Sequence, residues 1–459
     1  MKKDRQEPRI ENVYQLEGRV PVAKAIPFGL QHVLAMFVAN IAPLIIIASV
    51  AVYNGQPFSV IETARLLQNC MLIAGIGTML QLYPVWKIGS GLPVVMGLSF
   101  TFLAACMTAA SQDYGVMVGA IIVGGVFEGI LGLTAKYWRK IISPILSACV
   151  VVSIGLSILN VGVSSFGSSA KYPLGSWQNL LVAAITLAAA LIFHTTLKGV
   201  AKQLYVLLGM IVGYVVAVCF GMVDFAGMNQ TIRELGVVAV PQLFAYTPKF
   251  QMGTILSFCL VFIVSAVETI GDTTATCTGG LGRDITDKEI SGSLCVDGFA
   301  SALSGGVFGC SFAALFGVLP NTSFSQNVGL ISMTHVVNRF TIMFGALAMI
   351  LGGLFPPIGA FFTTLPDCVL GGCTVIMFGS IMMSGIRMMQ DAGLDQRNVL
   401  IAATSLCLGV GVTQVEGFFD NLPPVFGEIF AGNMVAGVFV VGLILELCLP
   451  KDPKRYETR

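Results

Sequence analysis

Long apolar runs, broken by short polar or Gly- and Pro-bearing stretches, follow one another along nearly the whole chain. Taking about 20 apolar residues for a membrane-crossing helix, and fewer where a helix is broken, the pattern predicts about fourteen spans. They begin near Ile26, Ile61, Leu92, Gly115, Ile141, Trp177, Gln203, Met252, Ser291, Asn321, Phe340, Ala360, Asn398 and Gly432. One stretch does not fit a continuous helix. In LPNTSFSQNVGLISMTH, Leu319 to His335, a proline and a run of small polar residues interrupt an otherwise apolar region. Irregular backbone at membrane depth survives only where protein buries it or where it lines a cavity. An earlier stretch echoes it, with Ser99-Phe100 following Leu92-Pro93 as Ser323-Phe324 follows Leu319-Pro320. Paired broken segments in corresponding halves of a chain point to the site of a transporter built from repeats.

Basic residues orient the spans, because Lys and Arg in short loops favour the cytoplasmic side. With the N-terminus inside, only Arg65, Lys171, Arg233 and Lys249 of the 25 Lys and Arg fall on the outer side. Both tails are therefore expected in the cytoplasm. The loop from Val223 to Gln251 is expected to be external and to divide two seven-span halves, whose odd span number makes them inverted repeats.

Composition excludes a soluble domain: 55% of the 459 residues are hydrophobic and only 11% charged, against about 25% charged in ordinary globular chains. A net charge of +1 offers nothing to nucleic acid. The 12 Cys are scattered through apolar segments with no CxxC pair, so neither a metal site nor a disulfide framework is expected, and no cofactor. The charged N-terminus lacks a cleavage pattern and reads as a retained tail. No GxxxxGK[ST] loop occurs, so the driving force is expected to be an ion gradient or the substrate's own gradient.

Few polar side chains lie at depth, and these are the candidates for chemistry. Glu268 and Asp272 fall one turn apart, on one helical face. Carboxylates in a span mark ion, proton or substrate pathways, and the alternative here is a bond to the neighbouring Thr residues. Two acids so close cannot both ionise in a low dielectric, so Asp272 is the expected proton carrier. Asp297 is open between a structural bond and a proton role, and Glu128 has no role assigned. Glu62 and Glu446 are expected to reach water. His32, beside Gln31, reads as a structural bond. Phe100 and Phe102 flank Thr101; in an extended piece the two rings share a face, and in a helix they belong to the core. Gly305-Gly306, Gly352-Gly353 and Gly371-Gly372 are candidate sliding faces or static packing. Carboxylates, Gln and half-helix N-termini together suit a flat, nitrogen-rich ligand.

These residues resemble the nucleobase/ascorbate transporter family, also called nucleobase cation symporter 2, over nearly the whole chain. The family signature Q-N-x-G followed by T is matched by Gln326, Asn327, Gly329 and Thr334; Gln31-His32, Ser99 to Phe102, and the Glu268/Asp272 pair resemble purine-transporting members. The resemblance implies an all-α polytopic fold, a seven-plus-seven inverted repeat with short extended pieces in broken spans three and ten. A core domain (residues 26–135 and 252–357) would move against a gate domain (136–222 and 358–449). Residues 1–25 and 450–459 would be cytoplasmic tails and 223–251 the central external loop. It further implies that Glu268, Gln326, Phe100, Thr101, Phe102, Ser325, Asn327 and His32 serve the base, that Asp272 and Asp297 serve coupling, and that the protein is a plasma-membrane homodimer. Gln326 favours a purine and Thr101 xanthine or uric acid. The expected activity is proton symport of that base; guanine, hypoxanthine or uracil, and Na⁺ coupling, are alternatives. Two departures stand out: His335 occupies a position usually held by Arg, Lys or Gly, and the stretch from Asp297 to Gln326 is longer than the family pattern.

An anion exchanger or channel of the same architecture competes, but Glu268 at the centre speaks against it. An integral-membrane enzyme would need a nucleophile and base or a metal cluster, and the 3 His are far apart.

Overall fold

A computed structural model describes residues 13–139, 142–239, 245–300 and 317–450. The tails 1–12 and 451–459, Gly305-Gly306 and most of the long stretch between Asp297 and Gln326 lie outside the described residues.

The first half runs α1 (Val22–Val50), α2 (Val60–Leu82), β1 (Met96–Leu98), α3 (Leu103–Gln112), α4 (Tyr114–Trp138), α5 (Pro144–Ser157), α6 (Leu159–Gly167), α7 (Trp177–Thr196) and α8 (Tyr205–Cys219). A connecting helix, α9 (Phe225–Leu235), follows. The second half runs α10 (Met252–Ala275), α11 (Asp287–Ala300), β2 (Asn321–Ser323), α12 (Ser325–Thr334), α13 (Arg339–Gly352), α14 (Pro356–Phe362), α15 (Asp367–Ala392), α16 (Gln396–Gln414), α17 (Pro424–Phe430) and α18 (Met434–Cys448). Local chemistry starts these helices. Ser59 and Glu62 form a reciprocal capping box on α2, Asp113 caps α4, and Ser143 with Pro144 opens α5.

Six helices among the described residues are long and apolar enough to cross a membrane, or eight if the pairs α13/α14 and α17/α18, bent by 83° and 102°, each count as one span. The other spans differ from these in several ways: β1 and β2 break two of them, α8 has only 15 residues, and α2 and α16, with 23 and 19, are less apolar. The twelfth span begins at Asp367 after Pro366, not near Ala360, because Pro356 and Pro357 start a separate short helix there. The connection between the halves is also not plain loop: Asp224 caps α9, which packs against α14 and α2.

Packing reveals the repeat. Helix α1 lies on α13 as α10 lies on α4, and α2 lies on α13 as α11 lies on α4. Farther out, α7 pairs with α8 as α16 pairs with α18, and α15 meets α7 as α5 meets α16. On the central axis β1 and β2 pair antiparallel, Met96 with Ser323, Gly97 with Thr322 and Leu98 with Asn321. Exchanging the halves reproduces each contact, which is the seven-plus-seven inverted repeat. Two helix sets result, α1–α4 with α10–α13 and α5–α8 with α15, α16 and α18. Gly352-Gly353 packs on Met71, Leu72 and Gln68, and Gly371-Gly372 on Phe166, Ala183 and Thr186. Each pair thus lies within one set, so neither is a sliding face between them.

Two isolated strands inside a bilayer need partners for their outer edges. Thr78 accepts from the Met96 N–H at 2.9 Å and Asn40 from the Leu98 N–H at 2.8 Å. Gly97 is required between them, since a Cβ there would sit 2.6 Å from the Phe324 ring and 2.8 Å from Met36. At the far end of α12, His335 takes a left-handed conformation (φ 54°) that closes the helix. This backbone favours Gly, which accounts physically for Gly as an alternative at that position.

Candidate functional site

The broken spans place two helix starts at mid-molecule, and a cavity of about 380 Å³ opens beside them. Its polar wall comes from one helix set: Glu268, Gly271 and Asp272 of α10, Ser99 and Phe100 after β1, and Thr322 to Gln326. Its apolar wall comes from the other, with Val150, Val151 and Ile154 of α5 and Ile381 and Met388 of α15. A concave apolar site with a few convergent polar groups is the usual form of a small-molecule pocket.

Glu268 accepts a hydrogen bond from Thr101 Oγ1 at 2.6 Å. Asp272 accepts from Ser323 Oγ at 2.8 Å and Ser325 Oγ at 3.0 Å, so it is tied to the start of α12. Asp297 is fully buried behind them and accepts from Thr269 and, at 3.1 Å, from Thr322. Gln326 lines the cavity and also a second one of about 420 Å³, bounded by α1, α8 and α15 and by Arg387 and Ser380.

The two phenylalanines part company. Residues 100–102 form a tight 3₁₀ turn rather than an extended piece, so Phe100 faces the cavity while Phe102 packs on Phe262 with centroids 4.5 Å apart. Phe102 therefore does not line the cavity. His32 and Asn327 do not line it either. The Asn327 amide donates to the His32 carbonyl at 3.2 Å and lies 3.5 Å from the ring Nδ1, joining α12 to α1. Ser325, Gln326, Phe100, Glu268 and Asp272 are brought together; Thr101 reaches the site through Glu268.

Sequence reasoning missed Asn40 and Thr78, which support β1, and the hydroxyls of Ser147 and Ser384 on the opposite wall. Asn40, a lone amide deep in an apolar span, carried a readable signal. Ser147 and Ser384 carried none, because serine is common in membrane helices.

Residues 23–418 match the model of the Permease family, Xan_ur_permease. The chain belongs to that family. This permease, a multi-pass membrane protein and not an enzyme, is 31% identical to xanthine permease XanQ of Escherichia coli K12, over 95% of this chain and 94% of that one. It is 32% identical to the xanthine permease of Bacillus subtilis 168, over 91% and 92%. Among solved structures, the transmembrane domain of the cyanobacterial bicarbonate transporter BicA matches 96% of this permease and 100% of its own chain, at TM-score 0.54 and 11% identity. That likeness supports the inverted-repeat architecture.

Proposed function

We propose that this permease is a secondary active transporter that imports a purine nucleobase, xanthine or uric acid, by proton symport with alternating access. The observation that carries the reading is the convergence of Glu268 and Gln326 on one cavity between the two helix sets. Glu268 accepts from ring N–H groups, Gln326 reads the polar edge of the base, and Phe100 covers its face. Two acids in that cavity do not suit a small inorganic anion, which has no ring N–H groups to offer them, and the xanthine permeases among its relatives support a purine. Ser325 borders the base, while His32 and Asn327 hold α12 in place. The polar wall belongs to a core domain, residues 26–135 and 252–357, which rocks against a gate domain of 136–222 and 358–449. Asp272 and Asp297 take part in coupling. Both tails are cytoplasmic, and the protein works as a homodimer in the plasma membrane.

The test is uptake into proteoliposomes with xanthine, uric acid, guanine, hypoxanthine, adenine and uracil in competition, with an inward proton gradient or Na⁺ imposed separately. Xanthine or uric acid should compete best, and the proton gradient alone should drive accumulation. Glu268→Gln should abolish binding in folded protein, because the amide offers a donor where the base also donates. Unchanged affinity in that variant, or uptake restored only by Na⁺, would overturn the corresponding part of the reading.

A further inference from the structure

Glu128 takes no part in the cavity, yet it is the most isolated acid among the described residues. It is 0% exposed, and the Ser265 hydroxyl is the one hydrogen-bonding side chain beside it among the described residues. Its place is fixed by a close helix crossing: a Cβ on Gly298 would lie 2.4 Å from the Gly129 backbone nitrogen, so α4 and α11 touch backbone to backbone. Across this crossing Glu128, next to Gly129, feels the charge of Asp297, next to Gly298. Ser265 and Glu268 of α10 also face Glu128. Asp297 is further faced by Thr269, Thr322, Asp272 and Glu268. Lys87 acts on Cys295 in the same region and is not among the groups that face either acid.

The two acids differ in their surroundings. One Asp297 oxygen accepts from two hydroxyls, whereas Ser265 alone stands beside Glu128, so donors favour the charge on Asp297 and the proton on Glu128. A buried carboxylate with a single hydroxyl and no cation beside it is very costly, whereas a neutral carboxylic acid is tolerated. A hydrogen-bond chain leads from this pair to the cavity. Thr269 donates to Asp297, Ser323 Oγ lies 3.4 Å from Thr269 Oγ1, and Ser323 donates to Asp272 at 2.8 Å.

We infer that Glu128 and Asp297 form a sealed acid pair that carries one proton, held on Glu128, and that Thr269 and Ser323 connect this pair to Asp272 at the cavity. In the transfer, one O–H bond breaks on protonated Asp272 and one forms on the pair, each intervening hydroxyl giving up one proton and receiving one. The inference rests on the proton-symport reading for its role in transport, but the protonated Glu128 is testable without substrate.

Infrared spectroscopy of the unmodified permease at neutral pH should show a carboxylic-acid band that Glu128→Gln removes and Asp272→Asn leaves in place. In proteoliposomes Glu128→Gln should still bind the base and exchange it, while accumulation driven by a proton gradient falls about tenfold, the size of a typical coupling free energy. Thr269→Val, which keeps both acids and cuts the chain, should retain the band and lose the accumulation; it also gives a result if Glu128→Gln fails to fold. A spectrum in which no acid band depends on Glu128, or full accumulation in Thr269→Val, would overturn the inference. Absence of any purine uptake by the unmodified protein would overturn the transport reading instead, and the infrared band would still decide the pair.

Discussion

Thr101 donates its hydroxyl to Glu268 at 2.6 Å, so the turn after β1 fixes the carboxylate that faces the cavity. Thr101 is itself only 3% exposed and acts through Glu268 rather than by its volume. Thr101→Ser keeps the donor and should bind the base normally. Thr101→Val keeps the shape and removes the hydrogen bond to a charged group, worth about 1.5–3 kcal/mol. It should weaken base binding by about tenfold or more with little change in thermal stability, read by isothermal titration and a melting curve. An equal loss in both variants would assign Thr101 to packing.

Asn40 serves the same piece of chain from below. Its carbonyl oxygen accepts the Leu98 N–H at 2.8 Å, and its amide lies 3.2 Å from the Cys70 sulfur. Asn40→Leu leaves a buried backbone N–H unpaired, at a cost of about 1–3 kcal/mol. The melting temperature should fall and base affinity should fall with it, because β1 leads directly into Phe100 and Thr101.

Much of this was legible in the sequence, for identifiable reasons. Breaks at Pro93 and Pro320, and acids at Glu268 and Asp272, stand out because lipid tolerates neither open backbone nor lone charge. What escaped was set by three-dimensional closure. The divergence of Phe100 and Phe102 depends on where β1 ends, one residue before the turn begins. The link from Asn327 to His32 depends on how α12 meets α1, which no periodicity reveals. The glycine pairs read equally well as moving or fixed surfaces until their neighbours were known.

At one end of the molecule Asp113 joins three elements. Its carboxylate pairs with Lys249 at 2.6 Å, caps α4 through the Gly115 N–H at 2.7 Å, and receives the Asn54 N–H at 3.3 Å. Partial burial works against the charge, but Lys249 and these N–H groups outweigh it and hold the carboxyl below the usual value of 3.8. A carboxyl depressed in the folded protein contributes stability that is present above its unfolded pKa and lost as pH falls through the folded value. Stability should therefore drop as pH is lowered from about 5 through the acid range. Asp113→Asn keeps a capping side chain and removes the charge, so it should flatten this drop. Because the pair is partly exposed, the loss at neutral pH should stay within about 0.2–1 kcal/mol. Melting curves of both proteins between neutral and acid pH provide the comparison.

Glu446 departs from its expected place at a wet span end. It is 4% exposed and pairs with Arg397 through two bonds of 3.0 and 3.2 Å, with a third from Ser143 Oγ at 2.8 Å. One carboxylate therefore clamps α18, the start of α16 and the cap of α5. Arg397 also donates to the backbone carbonyls of Glu446 and Leu449 at 2.9 and 3.4 Å, so its charge stays fixed if the carboxylate is removed. Breaking such a pair from one side costs about 3–5 kcal/mol, mostly from the charge left buried. Glu446→Gln should lower the melting temperature strongly. Replacing both partners, Glu446→Gln with Arg397→Met, should recover much of the loss, since no buried charge then remains. The cavity residues lie on other elements or farther along α5, so base affinity in protein that remains folded should stay close to that of the unmodified permease. A loss of affinity in the folded double variant would show that this clamp also sets the position of the α5 wall.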